Sequence, residues 1–395
     1  MNICYIASDV VVPHHRGAST HTLELARHLA DRGHVINLVS RRGLGQQPIE
    51  EISGVTVHRV LDGIVFNNPY SSYRRSSQDR QRKPSVLKTM YGIYFTRFFP
   101  FYVAMKASRI IRSSRSEIIL ERETSFGAGG IASYVTGIPL VLEIIGPRYN
   151  KYSVNRASLI LYYNPAMIKF SLSEKKLSRV SAAANTNLFK YDSDVRKKAR
   201  LSLGLDEKTI VGFLGTFAEW QGVDDIVSAA SKLRDNQSFH FLMIGPYFER
   251  IAEKVRRLGL SDIFTFLGPV NYEDVPKYLC SADMLLAPYN ISRDPERSRS
   301  GIGSSLKVFE YMACSRTVIS TDVYPINQEI SNGIDSILLP PGDVGALASA
   351  IQELAADPVE QRRLGIAGRR LVEHKYSWGG FAESIETKML GMLRG

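Results

Sequence analysis

Twice along the chain, short runs of apolar and β-branched residues alternate with longer amphipathic stretches, and this double alternation constrains the fold more than any other feature. In the first half, residues 2–8, 35–40, 55–60, 117–121 and 139–145 read as strands. Residues 20–32 read as a helix stopped by Gly33 at the C-cap position. Several of the strand runs are nearly unbroken Ile, Leu and Val, which suits strands buried on both faces of a parallel sheet. A second series begins near Thr209, with strands expected at 210–214, 239–244, 264–267, 284–287, 317–320 and 336–339. Helices are expected at 223–233, 249–258, 272–279, 306–314 and 344–355, the last capped by Asp343. Another helix is expected after Pro84, and the tail from Pro358 to Leu393 has helical spacing.

Alternation of this kind builds βαβ units and parallel sheets. A chain of 395 residues exceeds one ordinary core and suggests two domains of roughly 150–200 residues each. The expected class is therefore α/β, with two Rossmann-like doubly wound domains facing a cleft. We place them at residues 1–195 and 196–375, with the break in the polar stretch 191–206, and expect a last helix at 376–395 to pack back on the first domain. In open α/β sheets ligands sit beyond the carboxyl ends of the strands, where the strand order reverses. Function is to be sought in the loops after strands.

Composition narrows the classes. Hydrophobic residues are 44% and charged residues 23%, as in packed globular proteins. Cys4, Cys280 and Cys314 form no C-x-x-C pair, so neither a disulfide framework nor a zinc site is expected, and all three read as core residues of a reducing, cytoplasmic compartment. The first residues lack the basic region of a signal peptide, and no apolar run reaches the length of a membrane span. Nearly all of the net charge of +11 sits between residues 71 and 116, where eleven bases accompany a single acid, Asp79. Seven aromatic residues, Tyr91 to Tyr102, share that segment. Bases with aromatics suit an anionic membrane surface, such as the inner face of the cytoplasmic membrane, or an anionic ligand. A core with a solvated basic face is the plainer alternative. No nucleic-acid motif accompanies the charge, so nucleic acid is not expected as a partner.

Two loops carry the chemistry. The first, residues 13–21, places Gly17, Ala18, Ser19 and Thr20 before a helix, an arrangement that can bind an anion. It is not G-x-G-x-x-G, so it carries no dinucleotide fingerprint, and a tight turn capped by Ser19 or Thr20 is the alternative. His14, His15 and His21 crowd this loop without a carboxylate in register, and no metal is expected. The second loop, Ser300-Gly301-Ile302-Gly303-Ser304-Ser305, leads into Leu306-Lys307-Val308-Phe309-Glu310. Amides at Ser304, Ser305 and Leu306 can cradle a diphosphate at the positive helix end, Lys307 adds a full charge, and Glu310 can accept from ribose hydroxyls. A solvated Lys307 and a surface ion pair at Glu310 are the alternative.

These stretches, in their order, resemble retaining glycosyltransferase family 4. The resemblance runs from Gly17–Gly33 through Gly137–Glu143, Asn185–Phe189, Gly215–Asp224, Ile244–Pro246, Phe266–Val270 and Ala282–Tyr289 to the Ser-Leu-Lys-Val-Phe-Glu-Tyr-Met-Ala run at 305–313. It implies the GT-B fold and a metal-independent transfer of a sugar, with retention, from a UDP or GDP sugar held mainly by the C-terminal domain. Glu310 is then implied at the ribose, Val270 near the base, and Gly17 and Ser304–Lys307 around the diphosphate. No cofactor beyond the donor is implied. Three departures stand out. Ile302 replaces the first of two glutamates eight residues apart, Thr216 and Gln221 replace a basic pair, and Ile145 replaces a histidine. Lys307 with Arg297 or Arg299 can supply the missing charge. Glu143, two residues before Ile145, is either a sugar contact or a structural carboxylate; with His21 it is the candidate catalytic residue of the first domain. The acceptor is expected to be a lipid-linked sugar or glycan at a membrane. A small soluble metabolite and a non-catalytic nucleotide-sugar-binding scaffold are the alternatives.

Overall fold

The computed structural model describes residues 1–14, 16–62, 98–123, 127–169, 176–236, 238–246, 248–303 and 305–394. The helix expected after Pro84, most of the basic segment 71–116, His15 and Ser304 lie outside these residues. The chain divides into two compact units. The first comprises Met1–Tyr162, Phe170–Arg179 and Ala382–Gly395; the second comprises Tyr163–Lys169 and Val180–Phe381. The chain thus leaves the first unit well before residues 191–206. That polar stretch is instead a helix, Ser193–Leu203, whose start is capped by the Asp192 carboxylate. Its polarity reflects a solvent-facing helix rather than a linker.

In the first unit, eight described strands form one sheet: β1 (Asn2–Val11), β2 (Val35–Arg42), β3 (Ile49–Ile52), β4 (Val55–Asp62), β5 (Ile118–Arg122), β6 (Leu140–Ile144), β7 (Leu159–Tyr162) and β8 (Leu177–Arg179). Their order is β3-β4-β2-β1-β5-β6-β7-β8. All pairs are parallel except β3 with β4, a hairpin turned at Ser53 and Gly54, both at positive φ. The sequence reading missed β3, whose Glu50 and Glu51 interrupt the apolar pattern, and the short β7 and β8. Helices α1 (Gly17–Asp31), α2 (Phe99–Ser114), α3 (Ala128–Thr136) and α4 (Lys151–Arg156) connect these strands. The helix α1 starts three residues earlier than expected. Its N-cap is Arg16, which makes no side-chain cap, so Ser19 and Thr20 lie inside the first turn rather than capping it.

The second unit has a six-stranded parallel sheet: β9 (Thr209–Leu214), β10 (Phe239–Ile244), β11 (Phe264–Gly268), β12 (Met284–Ala287), β13 (Thr317–Thr321) and β14 (Ile337–Leu339), in the order β11-β10-β9-β12-β13-β14. Around it lie α5 (Ser193–Leu203), α6 (Val223–Leu233), α7 (Glu249–Arg257), α8 (Val275–Ser281), α9 (Pro295–Ser300), α10 (Leu306–Ala313), α11 (Val344–Ala356) and α12 (Pro358–Lys375). Two apolar cores, one on each face, bury the strands from both sides. This explains their unbroken hydrophobic runs. The tail is two helices, α12 and α13 (Trp378–Arg394), separated by a turn at Tyr376 and Ser377. The Asp343 carboxylate caps α11 through the Ala346 amide, as expected.

Both sheets reverse strand order about a central strand: β2 and β5 flank β1, and β10 and β12 flank β9. In each unit the reversal opens a crevice beyond the carboxyl ends of the paired strands. The first-loop residues follow β1, and Gly215 and Thr216 follow β9.

Candidate active-site residues of the two units

At the strand ends of the first unit, Glu143 on β6 is wholly buried. Its Oε1 lies 2.7 Å from Nε2 of His21, which α1 carries in its second turn and which is also buried. The Tyr5 hydroxyl on β1 points at the other carboxylate oxygen, at 3.5 Å. Burial, with a smaller push from the Glu143 charge, holds the Tyr5 phenol well above its ordinary pKa, so Tyr5 stays a neutral donor. The two candidate catalytic residues of the first unit are thus a hydrogen-bonded pair. A second buried acid, Glu121 at the end of β5, was not singled out from sequence. It accepts from the Gly129 amide and from the Ser153 hydroxyl, each at 2.7 Å. Burial nonetheless pushes its carboxyl up to about 7, and the Asp9 charge adds to this. A Cβ on Gly129 would lie 2.6 Å from that carboxyl, so the glycine is what lets α3 approach. Gly17 is exposed at the first position of α1.

In the second unit, the first turn of α10 places Lys307 against the end of β9. Its Nζ is 4.4 Å from the centroid of the Phe213 ring, 5.5 Å from that of Tyr289 and 3.4 Å from Oε1 of Gln221. A Cβ on Gly215 would lie 2.8 Å from the same ammonium. Enclosure by rings and backbone lowers the Lys307 pKa to about 7, while the Glu310 carboxylate one turn on pulls it back upward. Lys307 is therefore not the solvated lysine of the alternative reading, and Glu310 is buried rather than a surface carboxylate. Ser305, the N-cap of α10, pairs its hydroxyl with that of Tyr289, at 2.6 Å, and makes no side-chain cap. The amides that open this helix are thus left without the N-cap oxygen that commonly satisfies them.

Tyr289 also stacks on Trp220, with ring centroids 5.6 Å apart and planes inclined by 11°. The Arg297 guanidinium lies 3.7 Å over Trp220. Of the two arginines considered for the missing charge, Arg297 reaches this aromatic pair. Gln221 is buried at the end of a short 3-10 turn before Gly222. Thr216 is half-buried, and Val270 is half-buried against one of the apolar cores. Leu306 opens α10, and Ile302 faces the core with 2% exposure, where an unpaired charge would carry the cost of burial. The aromatic walls Phe213 and Tyr289 were missed as site residues. Tyr289 carried a signal, since it directly follows a buried strand and a proline. Cys280 and Cys314 are buried, and the Cys314 thiol hydrogen bond is the main cause that lowers the Cys280 pKa. Among the described residues no group of His, Cys, Asp and Glu has the arrangement of a metal site.

This geometry fits what the chain is similar to. Residues 208–357 match the family model described as glycosyl transferases group 1. Alpha-D-kanosaminyltransferase of Streptomyces kanamyceticus is 24% identical over 294 residues, covering 66% of this chain and 74% of that protein. A GDP-mannose-dependent alpha-(1-6)-phosphatidylinositol monomannoside mannosyltransferase of Mycolicibacterium smegmatis is 25% identical over 205 residues, covering 51% of this chain and 53% of that protein. The crystal structure of Anabaena HepE in complex with UDP superposes with a TM-score of 0.73 at 16% identity, covering 99% of this chain and all of that one. Residues 208–357 are thus a glycosyl transferases group 1 domain, and the chain that carries them is a glycosyltransferase of the GT-B fold.

Proposed function

We propose that the protein moves a sugar, with retention at the anomeric carbon, from a UDP or GDP sugar to an acceptor hydroxyl without a metal. The observation that carries this is Lys307, an ammonium enclosed by Phe213 and Tyr289 beside the first amides of α10, which carry no side-chain cap. An ammonium with its pKa lowered to about 7 gains most when a diphosphate arrives. The anion restores its charge and takes up charge in turn as the leaving group departs. The bond from the anomeric carbon to the β-phosphate oxygen breaks, and the acceptor oxygen bonds the same face. The acceptor proton passes to the departing phosphate. Glu310 accepts from the ribose, Val270 lies by the base, and Gly17 at the start of α1 serves the diphosphate. Thr216, Gln221, Ser305 and Leu306 line the donor, with Ser304 between them in sequence. The His21–Glu143 pair is assigned to the hydroxyls of the sugar or acceptor. The first unit would serve the acceptor, and the second the nucleotide sugar. Calorimetry with UDP and GDP tests the reading. Wild type should bind one of them, and Glu310→Ala should weaken that binding about tenfold, the order of a lost charged hydrogen bond. Unchanged affinity would remove Glu310 from the site.

For the acceptor we favour a lipid-linked sugar or glycan at an anionic membrane surface. The exposed face of α2 supports this. Phe98, Phe101, Tyr102 and Met105 lead along it into Lys106, Arg109 and Arg112, with no acid among them. One relative is named for a phosphatidylinositol mannoside, which points the same way. No described helix is long and apolar enough to cross a membrane, so the contact proposed is peripheral, at the inner, cytoplasmic face. The small-metabolite reading is favoured by another relative, named a 2-deoxystreptamine glucosyltransferase. Flotation with anionic vesicles separates the two: recovery with vesicles at low salt supports the first, and none at any salt the second.

A further inference from the structure

The loop that delivers Lys307 is held from a distant part of the sequence. Asn164 is 1% exposed and stands at the start of a short 3-10 turn, Pro165–Met167, within the second unit. Its Oδ1 accepts from the Ala166 amide at 2.9 Å. That bond fixes the orientation of the carboxamide and turns both N–H groups of Nδ2 the other way. They donate to the carbonyls of Ser300 and Ile302, each at 3.0 Å. Between those carbonyls, Gly301 takes φ +68°, and a Cβ there would lie 2.6 Å from Nδ2. The glycine therefore admits both the turn and the asparagine.

The planar trans peptide converts this grip into an orientation. A carbonyl and the N–H of the next residue point in opposite directions. Holding the Ser300 carbonyl turns the Gly301 amide away from Asn164, and that amide is seen donating to the Arg297 carbonyl at 2.7 Å. Holding the Ile302 carbonyl likewise turns the Gly303 amide away from Asn164. The loop is thus pinned at α9 by Gly301, in the middle by Asn164 and at α10 by the contact between Ser305 and Tyr289.

We infer that Asn164 is a positioning residue for the nucleotide donor: by holding the Ser300 and Ile302 carbonyls it orients the Gly303 amide, ahead of α10, toward the β-phosphate. This rests on the reading above that α10 and Lys307 hold the donor diphosphate. Asn164 itself touches no substrate.

The test compares UDP with UMP, and GDP with GMP, by calorimetry on the full chain. Asn164→Ala is expected to weaken the diphosphate about tenfold, the order of two lost buried hydrogen bonds, while leaving the monophosphate within twofold. Asn164→Asp, which sets a carboxylate against two carbonyl oxygens, should lose more. Gly301→Ala displaces the asparagine from the other side and should give the same selective loss, so the inference stays testable should one variant fold poorly. Diphosphate and monophosphate affinities falling equally, or neither changing, would overturn it. Lys307→Ala is run beside them. A loss there with Asn164→Ala unaffected sinks only the role of Asn164, whereas no loss in either variant sinks the donor reading itself.

Discussion

The strand ends of the two units are built on opposite charges. In the first, Glu143 and Glu121 are buried acids stabilised by donors: His21, Tyr5, the Gly129 amide and the Ser153 hydroxyl. In the second, Lys307 is a base enclosed by two rings and a glutamine, with Glu310 the carboxylate that acts on it. A buried acid with its hydrogen bonds made is already satisfied and suits the holding of neutral hydroxyls. A base enclosed by aromatic rings, beside helix amides that carry no side-chain cap, suits an anion such as a diphosphate. The same doubly wound scaffold thus serves two chemistries, according to which side chains its strand ends present.

The largest expected effect tests the second unit. Lys307→Met should fill the aromatic enclosure without charge and lower kcat/KM by roughly 10²–10³-fold, as removing one preorganised charge stabiliser does. Steady-state kinetics with a donor that binds wild type would show it. A loss under about threefold would mean that the charge is not used.

Breaking the first unit should act on stability as well as turnover. Glu143→Ala leaves His21 and Tyr5 buried without their shared partner, at a cost of about 3 kcal/mol. Urea unfolding measures that loss. Glu143→Gln keeps the shape and a hydrogen-bonding group, and should fold nearly as well while turning over more slowly. Equal turnover in Glu143→Gln and wild type would make the pair purely structural.

The smallest effect is the sharpest on the comparison. Glu121 and Lys307 both titrate near 7, in opposite senses. The folded-state pKa of Glu121 is raised, so the folded chain holds a proton that the unfolded chain gives up. Its contribution is full at acid pH and lost as pH rises through about 7. The folded-state pKa of Lys307 is lowered, so the unfolded chain binds the extra proton. The penalty for enclosing the ammonium is present below about 7 and relieved as pH rises above it. Melting temperatures from pH 5 to 9 should therefore show Glu121→Gln gaining on wild type as pH rises, and Lys307→Met losing its advantage over wild type across the same range. Shifts of a few degrees are expected for ~1 kcal/mol. Parallel curves would abolish the contrast.

Much of this was legible in the sequence because it is local. Unbroken Ile, Leu and Val runs marked strands buried on both faces, and the residues after β9 and before α10 were recognisable as a loop feeding a helix end. The helix start at Gly17 was not, because Ser19 and Thr20 resemble caps while the backbone turned at Arg16. Strand β3 escaped because it is exposed and acidic, and pairs through a tight hairpin rather than through burial.

By itself, then, the sequence determined two α/β units, the loops in which anions could bind, and the residues Lys307, Glu310, His21 and Glu143. The units, the loops, Lys307 and Glu310 follow from periodicity and spacing, which act over a few residues along the chain; His21 and Glu143 were candidates through the family resemblance. Only the tertiary structure decided that His21 meets Glu143 across 122 positions, that Phe213 and Tyr289 enclose Lys307, and that Asn164 grips a loop 136 positions away. Such pairings depend on strand order and on which side chains the two faces of a sheet bring to one end. Those are properties of packing in space, and no local pattern encodes them.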